Sequence, residues 1–305
     1  MKRNQSLRIC VVIPSFSPYC QIIPTLNSLL RAFSILENQE FTLLLSDSSP
    51  NVETVSCVTS WARNNGVDLL VERSDERRIV KAALNAAFNR REVNNFDVFI
   101  VTNDDVIFDI HAISILLQAF ADEDVRAAVG VATLDDIFYS TKENRSLRWA
   151  SAWQLKYMKN LADLKPKNSV RAEGSLWAAR SEFVNVFRYT EKSGSIADDM
   201  ELASFLISTE ITTINASLAK VYKIPVKGFK EFANQTRRSQ IGEKDALKNP
   251  DESRYILVHA VLRTILSNPF ESFFYIAYRF LMLISLDKKY GVPGRDWNRS
   301  NSSFR

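Results

Sequence analysis

The sequence has few of the residues that interrupt or crosslink a chain. Its 305 residues include only 8 glycines and 9 prolines, which excludes a fibrous or largely disordered protein. The three cysteines, Cys10, Cys20 and Cys57, are odd in number and show no CxxC spacing. This pattern predicts neither a disulfide framework nor a zinc site, and it favours a reducing cytosol.

Long apolar runs and a strong charge of one sign are absent as well. Residues 1–8 are polar and basic, and the apolar run at 9–13 is too short for a secretory signal. The net charge of +4 suits an anionic ligand or an anionic membrane surface, but it is too small to indicate nucleic acid. The hydrophobic fraction of 46% is ordinary for a globular protein with a large core.

Four apolar runs alternate with helical patterns in the first 105 residues. The runs lie at 9–13, 41–45, 67–71 and 98–101. Between the first two, Leu26, Leu29 and Phe33 recur at helical spacing. This alternation predicts an α/β fold with a doubly wound, mostly parallel sheet. Because no Gly-x-Gly-x-x-Gly and no P-loop is present, dinucleotide dehydrogenases and P-loop NTPases lose their main support.

Acidic residues follow two of the predicted strands. Asp47 ends the second strand, and Asn103, Asp104 and Asp105 end the fourth. Parallel strands place their carboxyl ends at one edge, where open α/β sheets bind ligands. Adjacent carboxylates repel each other unless a cation or solvent screens them, and Mg²⁺ prefers oxygen ligands and bridges to diphosphates. The pattern predicts a metal–diphosphate site, and the alternative is an acidic turn that caps the next helix.

Three motifs together resemble the family 2 glycosyltransferases, which have the glycosyltransferase A fold. They are Val-Val-Ile-Pro-Ser-Phe at 11–16, Leu-Ser-Asp-Ser-Ser at 45–49 and Asn-Asp-Asp-Val at 103–106. The likeness covers roughly residues 8–242. It implies an inverting, metal-dependent enzyme that moves a sugar from a nucleotide-diphosphate donor to an acceptor hydroxyl.

The resemblance implies a nucleotide site at the first two strand ends. In such enzymes the turn after the first strand lies against the base, which corresponds to Pro14, Ser15 and Phe16. Asp47 would then contact the base or the ribose. Asp104 would lie next to the ribose or the metal.

The resemblance also implies a bound Mn²⁺ or Mg²⁺. The family's Asp-x-Asp appears here as Asn103-x-Asp105, so Asp105 is the expected metal ligand. Asn85 corresponds to the end of the family's Ala-Arg-Asn element and is a further expected nucleotide contact. Leu84 replaces the arginine of that element. The candidates to supply the missing charge are Arg77, Arg78 and Lys81.

Residues 173–177 resemble the glycine-rich acceptor loop of the family. Gly174 would let the backbone approach a sugar closely, with Ser175 beside it, and Trp177 offers a ring for stacking. The alternative interpretation of Trp177 is a core tryptophan.

Residues 197–202 resemble the family's Glu-Asp-x-Asp-Leu motif. The resemblance implies that Asp199 is the catalytic base and that Asp198 contacts the donor or acceptor sugar. Alternatively, both are helix N-terminal residues, because Leu202 and Leu206 continue with helical spacing.

Residues 235–242 resemble the Gln-x-x-Arg-Trp segment of processive members. Gln235, Arg237 and Arg238 would meet the diphosphate, and Ser239 replaces the tryptophan. A solvated basic loop is the alternative.

The pattern predicts a catalytic domain over 1–250, a helical extension over 251–290 and a flexible tail over 291–305. The apolar stretch 270–286 is shorter than the ~20 residues that cross a bilayer. It either packs on the catalytic domain or contacts the membrane surface through 255–289. Membrane contact would suit a cytoplasmic enzyme at the inner face of the membrane. Its acceptor would be a glycan or a lipid-linked sugar in cell-envelope polysaccharide synthesis.

Two other functions remain as alternatives. The departures at Ser17, Leu84 and Ser239 fit a catalytically inactive nucleotide-sugar-binding or scaffold protein on the same fold. A nucleotidyltransferase would need a glycine-rich basic loop after the first strand, which residues 14–18 do not supply.

Overall fold

The computed structural model describes most of the sheet-forming part of the chain. The described residues are 7–16, 22–36, 39–76, 80–133, 174–190, most of 201–224 and scattered positions between 262 and 276. The predicted site residues Asp198, Asp199, Gln235, Arg237 and Arg238 lie outside them, as does the predicted tail.

The described elements alternate in the order predicted for the first hundred residues. The strands are β1 (Ile9–Ser15), β2 (Phe41–Asp47), β3 (Asp68–Arg73), β4 (Val98–Thr102), β5 (Val106–Phe108), β6 (Ala127–Thr133), β7 (Leu176–Arg180) and β8 (Thr213–Lys223). The helices are α1 (Ile23–Ser34), α2 (Glu53–Asn65), α3 (Val80–Phe88), α4 (Ala112–Gln118) and α5 (Ser181–Val186). Two short 3₁₀ turns span Arg91–Asn95 and Ala119–Ala121.

The strands form one sheet in the order β3-β2-β1-β4-β7-β6-β8-β5. The first four are mutually parallel, with Ile9 of β1 opposite both Phe41 and Val98. Beyond β4 the pairing is mixed: β7 is antiparallel to β4 and β6, β5 is antiparallel to β8, and β6 and β8 are parallel. The predicted doubly wound α/β fold is confirmed, and its parallel part is the half that the sequence pattern covered.

The central strands are buried on both faces, as their continuous apolar runs predicted. Along β1, Val11 and Ile13 face a core shared with α1, α2 and α4, whereas Cys10 and Val12 face a second core shared with α3 and α5. Because side chains alternate across a strand, each apolar run contributes to both cores. Helices therefore cover both faces of the sheet.

Local signals set the ends of the first two helices. α1 begins with a proline in its first turn, where the missing amide proton is not needed. α2 ends at Gly66, whose φ of 65° is left-handed and whose amide donates to the carbonyls of Ala62 and Arg63. A glycine therefore forms the C-cap of this helix.

The cysteines differ from the expectation of a chain without disulfides. Cys10 is a free thiol in the core, and burial raises its pKa, so it is unreactive. Cys57 on α2 is disulfide-bonded, and its partner lies outside the described residues. The cysteine pattern therefore no longer argues for a reducing compartment.

The described positions between 262 and 276 are helical, in agreement with the predicted C-terminal helical extension. Ser272 is buried, whereas Leu266 and Phe273 are exposed. Within the described residues, no helix combines the length and apolar character needed to span a bilayer.

Gly130 lies on β6 at an irregularity in the β6–β8 register. A Cβ atom there would lie 2.6 Å from Leu176 Cδ2 and 2.8 Å from the Ala219 carbonyl oxygen. We expect Gly130→Ala to lower the free energy of unfolding by about 1–3 kcal/mol, because a backbone oxygen cannot move aside. Chemical denaturation measures this loss.

The double variant Gly130→Ala/Leu176→Ala is the matched test of that contact. Leu176→Ala alone costs about 2–5 kcal/mol as a core truncation. The two losses should sum to more than the loss in the double variant, because the shorter side chain relieves part of the clash. An unchanged midpoint for Gly130→Ala would contradict the close approach.

An ion pair joins the amino ends of β1 and β4. Arg8 donates from Nη2 to Asp97 Oδ1 at 2.8 Å and from Nε to Oδ2 at 3.2 Å. The side-chain hydrogen bond from Arg8 lowers the pKa of Asp97, and the charges of Arg8 and Arg180 add to this effect. The pair therefore stabilises the fold above the unfolded-state pKa of 3.8, and the contribution is lost as the pH falls through the lower folded-state pKa.

We expect Asp97→Asn to lower the denaturation midpoint slightly at pH 7 and to have no effect near pH 2. The effect is small because both side chains are exposed to solvent. Asp68→Asn, an exposed carboxylate at the same edge of the sheet, is the control. An Asp97→Asn loss that grows as the pH falls would contradict the stabilising role of the ion pair.

Candidate functional site at the carboxyl edge of the sheet

The ends of β1, β2 and β4 meet at one edge, as their parallel direction requires. Ser15 closes β1 opposite Asp47, and its carbonyl accepts the amide hydrogen of Ser48 at 3.0 Å. The Ser15 hydroxyl donates to Asp104 Oδ2 at 2.7 Å, which joins β1 to the turn after β4. Polar groups from three separate strand ends are thereby brought together.

Two hydroxyl groups of helix α1 form hydrogen bonds with the backbone at residues 104, 106 and 108. The buried Thr25 hydroxyl donates to the Asp104 carbonyl at 2.9 Å and accepts the Val106 amide at 3.2 Å. One turn later, the Ser28 hydroxyl accepts the Phe108 amide at 3.0 Å. Sequence reasoning missed both hydroxyls, although their signal was present: two small polar residues, three positions apart, lie on the apolar face of α1.

The two carboxylates of this turn repel each other. Asp104 is half-buried, and burial together with the charge of Asp105 raises its pKa to about 6, although hydrogen bonds from Ser15 and from backbone amides oppose the rise. Asp105 is exposed, and its carbonyl accepts the Ile224 amide at 2.8 Å. A cation between these groups would remove the repulsion.

The donor atoms at this turn fit a hard divalent cation. Within the described ranges, no three His, Cys, Asp or Glu side chains group closely enough to hold a metal ion by themselves. Mg²⁺ and Mn²⁺ sites at phosphates commonly use one or two carboxylates, with water and phosphate oxygens as the other ligands. Asp105 and the adjacent Asp104 supply carboxylates of this kind.

Asp47 is buried at the same edge and is paired with Arg73. Its Oδ1 accepts the Ser49 hydroxyl at 2.5 Å, and its Oδ2 accepts a hydrogen bond from Arg73 Nη1. Arg73 also donates to the Asn51 carbonyl at 3.2 Å. Sequence reasoning missed Arg73, because the predicted third strand ended at residue 71 rather than at the arginine.

The predicted acceptor loop lies directly beside the acidic turn. The Thr102 hydroxyl donates to the Ser175 carbonyl at 2.8 Å, and Asn103 Nδ2 lies 3.5 Å from Ser175 Oγ. Ser175 is buried and Gly174 is half-buried at the start of β7. These contacts place the segment at 174–175 next to the acidic turn.

The position of Trp177 contradicts the prediction that its ring stacks on a sugar. The side chain is 1% exposed, and its ring makes edge-on contacts with Phe88 and Phe183. No ring face is available to a sugar, so the core interpretation fits its placement. The reason is strand alternation, since Trp177 is on the face of β7 that packs against α3 and α5.

The α3 side chains that were predicted to contact the nucleotide or to supply charge, Asn85 and Lys81, are bonded to Tyr189 and Glu201. Asn85 Nδ2 donates to the Tyr189 carbonyl at 2.8 Å, and the Tyr189 amide donates to Asn85 Oδ1 at 2.9 Å. Leu84 is buried in the apolar core. Lys81, a candidate for the missing arginine charge, forms an ion pair with Glu201 instead.

The remaining predicted residues of the edge are only partly described. Pro14 lies within the buried β1, and Phe16 follows it with 37% of its surface exposed at the rim. Asp198, Asp199, Gln235, Arg237 and Arg238 lie outside the described residues, so their roles stay predictions.

Solved glycosyltransferase structures are similar to this chain. A mannosyltransferase from Pyrobaculum calidifontis, in complex with GDP-Man and Mn²⁺, has a TM-score of 0.57 at 16% identity, over 98% of this chain and 80% of that chain. Glucosyl-3-phosphoglycerate synthase from Mycobacterium tuberculosis, in complex with Mg²⁺ and UDP, has a TM-score of 0.51 at 14% identity, over 81% of each chain. At these identities the likeness shows a shared fold. No curated protein matches the chain.

The sequence itself matches a family model over the part that builds the edge. The model described as glycosyl transferase family 2 matches residues 10–187. This range contains the acidic turn, Asp47 and the segment at 174–175, and it covers more than half of the chain. The chain therefore belongs to glycosyl transferase family 2.

Proposed function

We propose that this chain is an inverting, metal-dependent glycosyltransferase that moves a hexosyl or related sugar from a nucleotide-diphosphate donor to an acceptor hydroxyl. The observation that carries the proposal is the meeting of Ser15, Asp47 and Asp104 at one edge of the sheet. Beside them, Asp105 is an exposed residue. This arrangement supports a diphosphate site with a cation, and family membership supplies the reaction class.

The nucleotide occupies the β1–β2 side of the edge in this proposal. Phe16 is a partly exposed ring that stacks on the base, and Pro14 and Ser15 fix the turn that carries it. Asp47 recognises the base or ribose while the hydrogen bond from Arg73 fixes the orientation of its carboxylate.

Asp105 binds the divalent cation, with Asp104 as its neighbour. Mn²⁺ or Mg²⁺ would act there as a Lewis acid toward the diphosphate leaving group. Two similar structures agree with this choice: the mannosyltransferase holds GDP-Man and Mn²⁺, and the synthase holds Mg²⁺ and UDP. Gln235, Arg237 and Arg238 add hydrogen bonds to the same diphosphate.

Asp199 is the general base of the reaction. It accepts the proton of the acceptor hydroxyl as that oxygen bonds to the anomeric carbon, while the bond from that carbon to the diphosphate oxygen breaks. Attack opposite the leaving group inverts the anomeric centre. Gly174, Ser175 and Asp198 line the sugar side of the site, and Ser175 lies against the acidic turn.

The proposed acceptor is a glycan or a lipid-linked sugar in cell-envelope polysaccharide synthesis, reached from the cytoplasm. Exposed apolar side chains at Leu262, Leu266 and Phe273 support a peripheral contact of the C-terminal helical part with a membrane surface.

A catalytically inactive donor-binding protein is the second candidate. It is favoured by Leu84, which is buried in the core where the family pattern has an arginine. Hydrolysis of GDP-mannose or UDP-glucose in the presence of Mn²⁺ separates the two. The enzyme turns over at least one donor slowly, whereas the inactive protein binds a donor without releasing the sugar.

Replacement of Asp105 should weaken metal-dependent donor binding. We expect Asp105→Asn to bind the nucleotide sugar at least tenfold more weakly with Mn²⁺, because one charge of the metal site is lost. The measurement is the donor-dependent rise in melting temperature across a titration. Asp68→Asn, at the opposite edge of the sheet, should match the wild type. Equal donor affinity in Asp105→Asn would exclude Asp105 as the metal ligand.

Replacement of Asp199 should separate binding from chemistry. We expect Asp199→Asn to lower kcat by about 10²–10⁴-fold, since a general base typically contributes that much. Donor affinity by thermal shift should stay within about twofold, and Asp68→Asn again serves as the control. If the variant keeps near-full turnover, another group removes the proton.

A further inference from the structure

The short strand β5 begins directly after the acidic turn and lies between two different elements. On one side it pairs with β8, with Val106 opposite Lys223. On the other side it packs against helix α1. A strand carries hydrogen-bonding groups along both of its edges, and each buried group needs a partner. The backbone of a helix interior is already bonded within the helix, so the partners on the α1 side have to be side chains.

Two hydroxyl groups of α1 are these partners. Thr25 Oγ1 accepts the Val106 amide at 3.2 Å, and Ser28 Oγ accepts the Phe108 amide at 3.0 Å. Thr25 and Ser28 are three positions apart and lie on the same side of the helix. Both are buried. They therefore take the place that a neighbouring strand would have along this edge of β5.

Thr25 also bonds the residue before Asp105. Its hydroxyl donates to the Asp104 carbonyl at 2.9 Å while it accepts the Val106 amide, so a single hydroxyl holds the chain on both sides of Asp105. From β8, the Ile224 amide donates to the Asp105 carbonyl at 2.8 Å. Both peptide groups that flank Asp105 are therefore hydrogen-bonded to neighbouring elements.

These backbone contacts determine where the Asp105 carboxylate lies. Asp105 is exposed, so the core packing that fixes buried side chains does not orient it. The direction of its Cα–Cβ bond follows instead from the two peptide groups beside it. Divalent metal sites require ligand distances within about 0.2 Å of their usual values, and Mg²⁺ requires a nearly ideal octahedron. A small rotation of either peptide group would move the carboxylate away from such a position.

We propose that Thr25 is a positioning residue for metal binding: its hydroxyl fixes the backbone around Asp105 and thereby the carboxylate that binds the divalent cation. Thr25 is 0% exposed, so it acts through Asp105 and not by contact with the metal or the donor. The proposal rests on the proposed role of Asp105 as metal ligand. Ser28 supports the same strand but bonds none of the groups that flank Asp105.

The test compares three single variants of the full-length chain. Thr25→Val keeps the β-branched shape and removes the hydroxyl, whereas Thr25→Ser keeps the hydroxyl. Ser28→Ala is the matched control, because it removes another buried hydroxyl that accepts an amide of β5. The affinities for UDP and for GDP are measured by calorimetry, in Mn²⁺ and in EDTA. The ratio of the two affinities is the contribution of the metal.

Loss of the Thr25 hydroxyl should weaken the metal-dependent part of binding alone. Removal of a group that orients a metal ligand typically lowers metal affinity by about 10–100-fold. We expect Thr25→Val to bind the nucleotide at least tenfold more weakly in Mn²⁺ and within about twofold of the wild type in EDTA. Thr25→Ser should recover most of the affinity in Mn²⁺, and Ser28→Ala should match the wild type in both.

A double-variant cycle shows whether Thr25 acts through Asp105. Asp105→Ala removes the proposed ligand, so the backbone geometry at that position no longer affects the metal. We expect Thr25→Val to weaken Mn²⁺-dependent binding by less than about twofold in the Asp105→Ala background. An equal loss in both backgrounds would show that Thr25 acts on another part of the site, and it would overturn the proposal.

Amide hydrogen exchange gives a readout without metal, nucleotide or turnover. In Thr25→Val the Val106 amide loses its acceptor, and we expect it to exchange at least tenfold faster than in the wild type. In Ser28→Ala the Phe108 amide should respond instead. If Thr25→Val does not fold, Thr25→Ala is measured in its place with the same expectations.

The outcomes separate this proposal from the proposed function. If Asp105→Ala weakens binding in Mn²⁺ but a folded Thr25→Val binds within twofold of the wild type, the positioning role is overturned and the metal site stands. Unchanged exchange at Val106, or an equal loss of affinity in Ser28→Ala, overturns it as well. If Asp105→Ala binds as the wild type does, or Mn²⁺ strengthens neither nucleotide, the proposed metal site fails and the positioning role fails with it.

Discussion

The repulsion between two adjacent carboxylates, Asp104 and Asp105, is the constraint on which the carboxyl edge of the sheet depends. Such a pair persists only if the backbone is held and one charge is partly neutralised. Thr25 holds the backbone from α1, and Ser15 donates to Asp104 from the end of β1. The remaining repulsion is what makes this edge suited to a cation and, through it, to a diphosphate. Membership of glycosyl transferase family 2 connects these electrostatic properties with sugar transfer.

Asp47 is the other acidic residue at this edge, and its charge is balanced by its neighbours. Asp47 is buried beside a fixed cation, Arg73, and a hydroxyl donor, Ser49, so its charge is already compensated. In the proposed function the compensated Asp47 serves recognition, and the exposed Asp105 serves metal binding. The same sheet edge therefore offers two chemically different carboxylates, one after β2 and one after β4. This difference arises from neighbours contributed by β3 and α1, and not from the acidic residues themselves.

The parallel half of the fold could be predicted, because each of its strands is a continuous apolar run. The runs at β1, β2 and β4 are buried on both faces. A strand of this kind can be recognised from its own apolar residues, without information about the strands that pair with it. The antiparallel half of the sheet was harder to predict from the sequence. β8 is long, is buried only at Ala216, Ala219 and Val221, and pairs with strands 80 or more residues earlier. Trp177 shows the same limit within the site: next to a glycine-rich loop, its sequence position fits a sugar contact as well as a core position.

The sequence alone determined which strands are buried and that acidic groups follow them, because apolar periodicity and the direction of parallel strands are local properties. It also determined the family, through short motifs at those strand ends. The tertiary structure alone decided what each polar group binds. Thr25 meets Asp104 across 79 residues, Asn85 meets Tyr189 across 104 and Lys81 meets Glu201 across 120. A hydrogen bond depends on distance and direction in space, and no local pattern in a chain encodes a partner that far away.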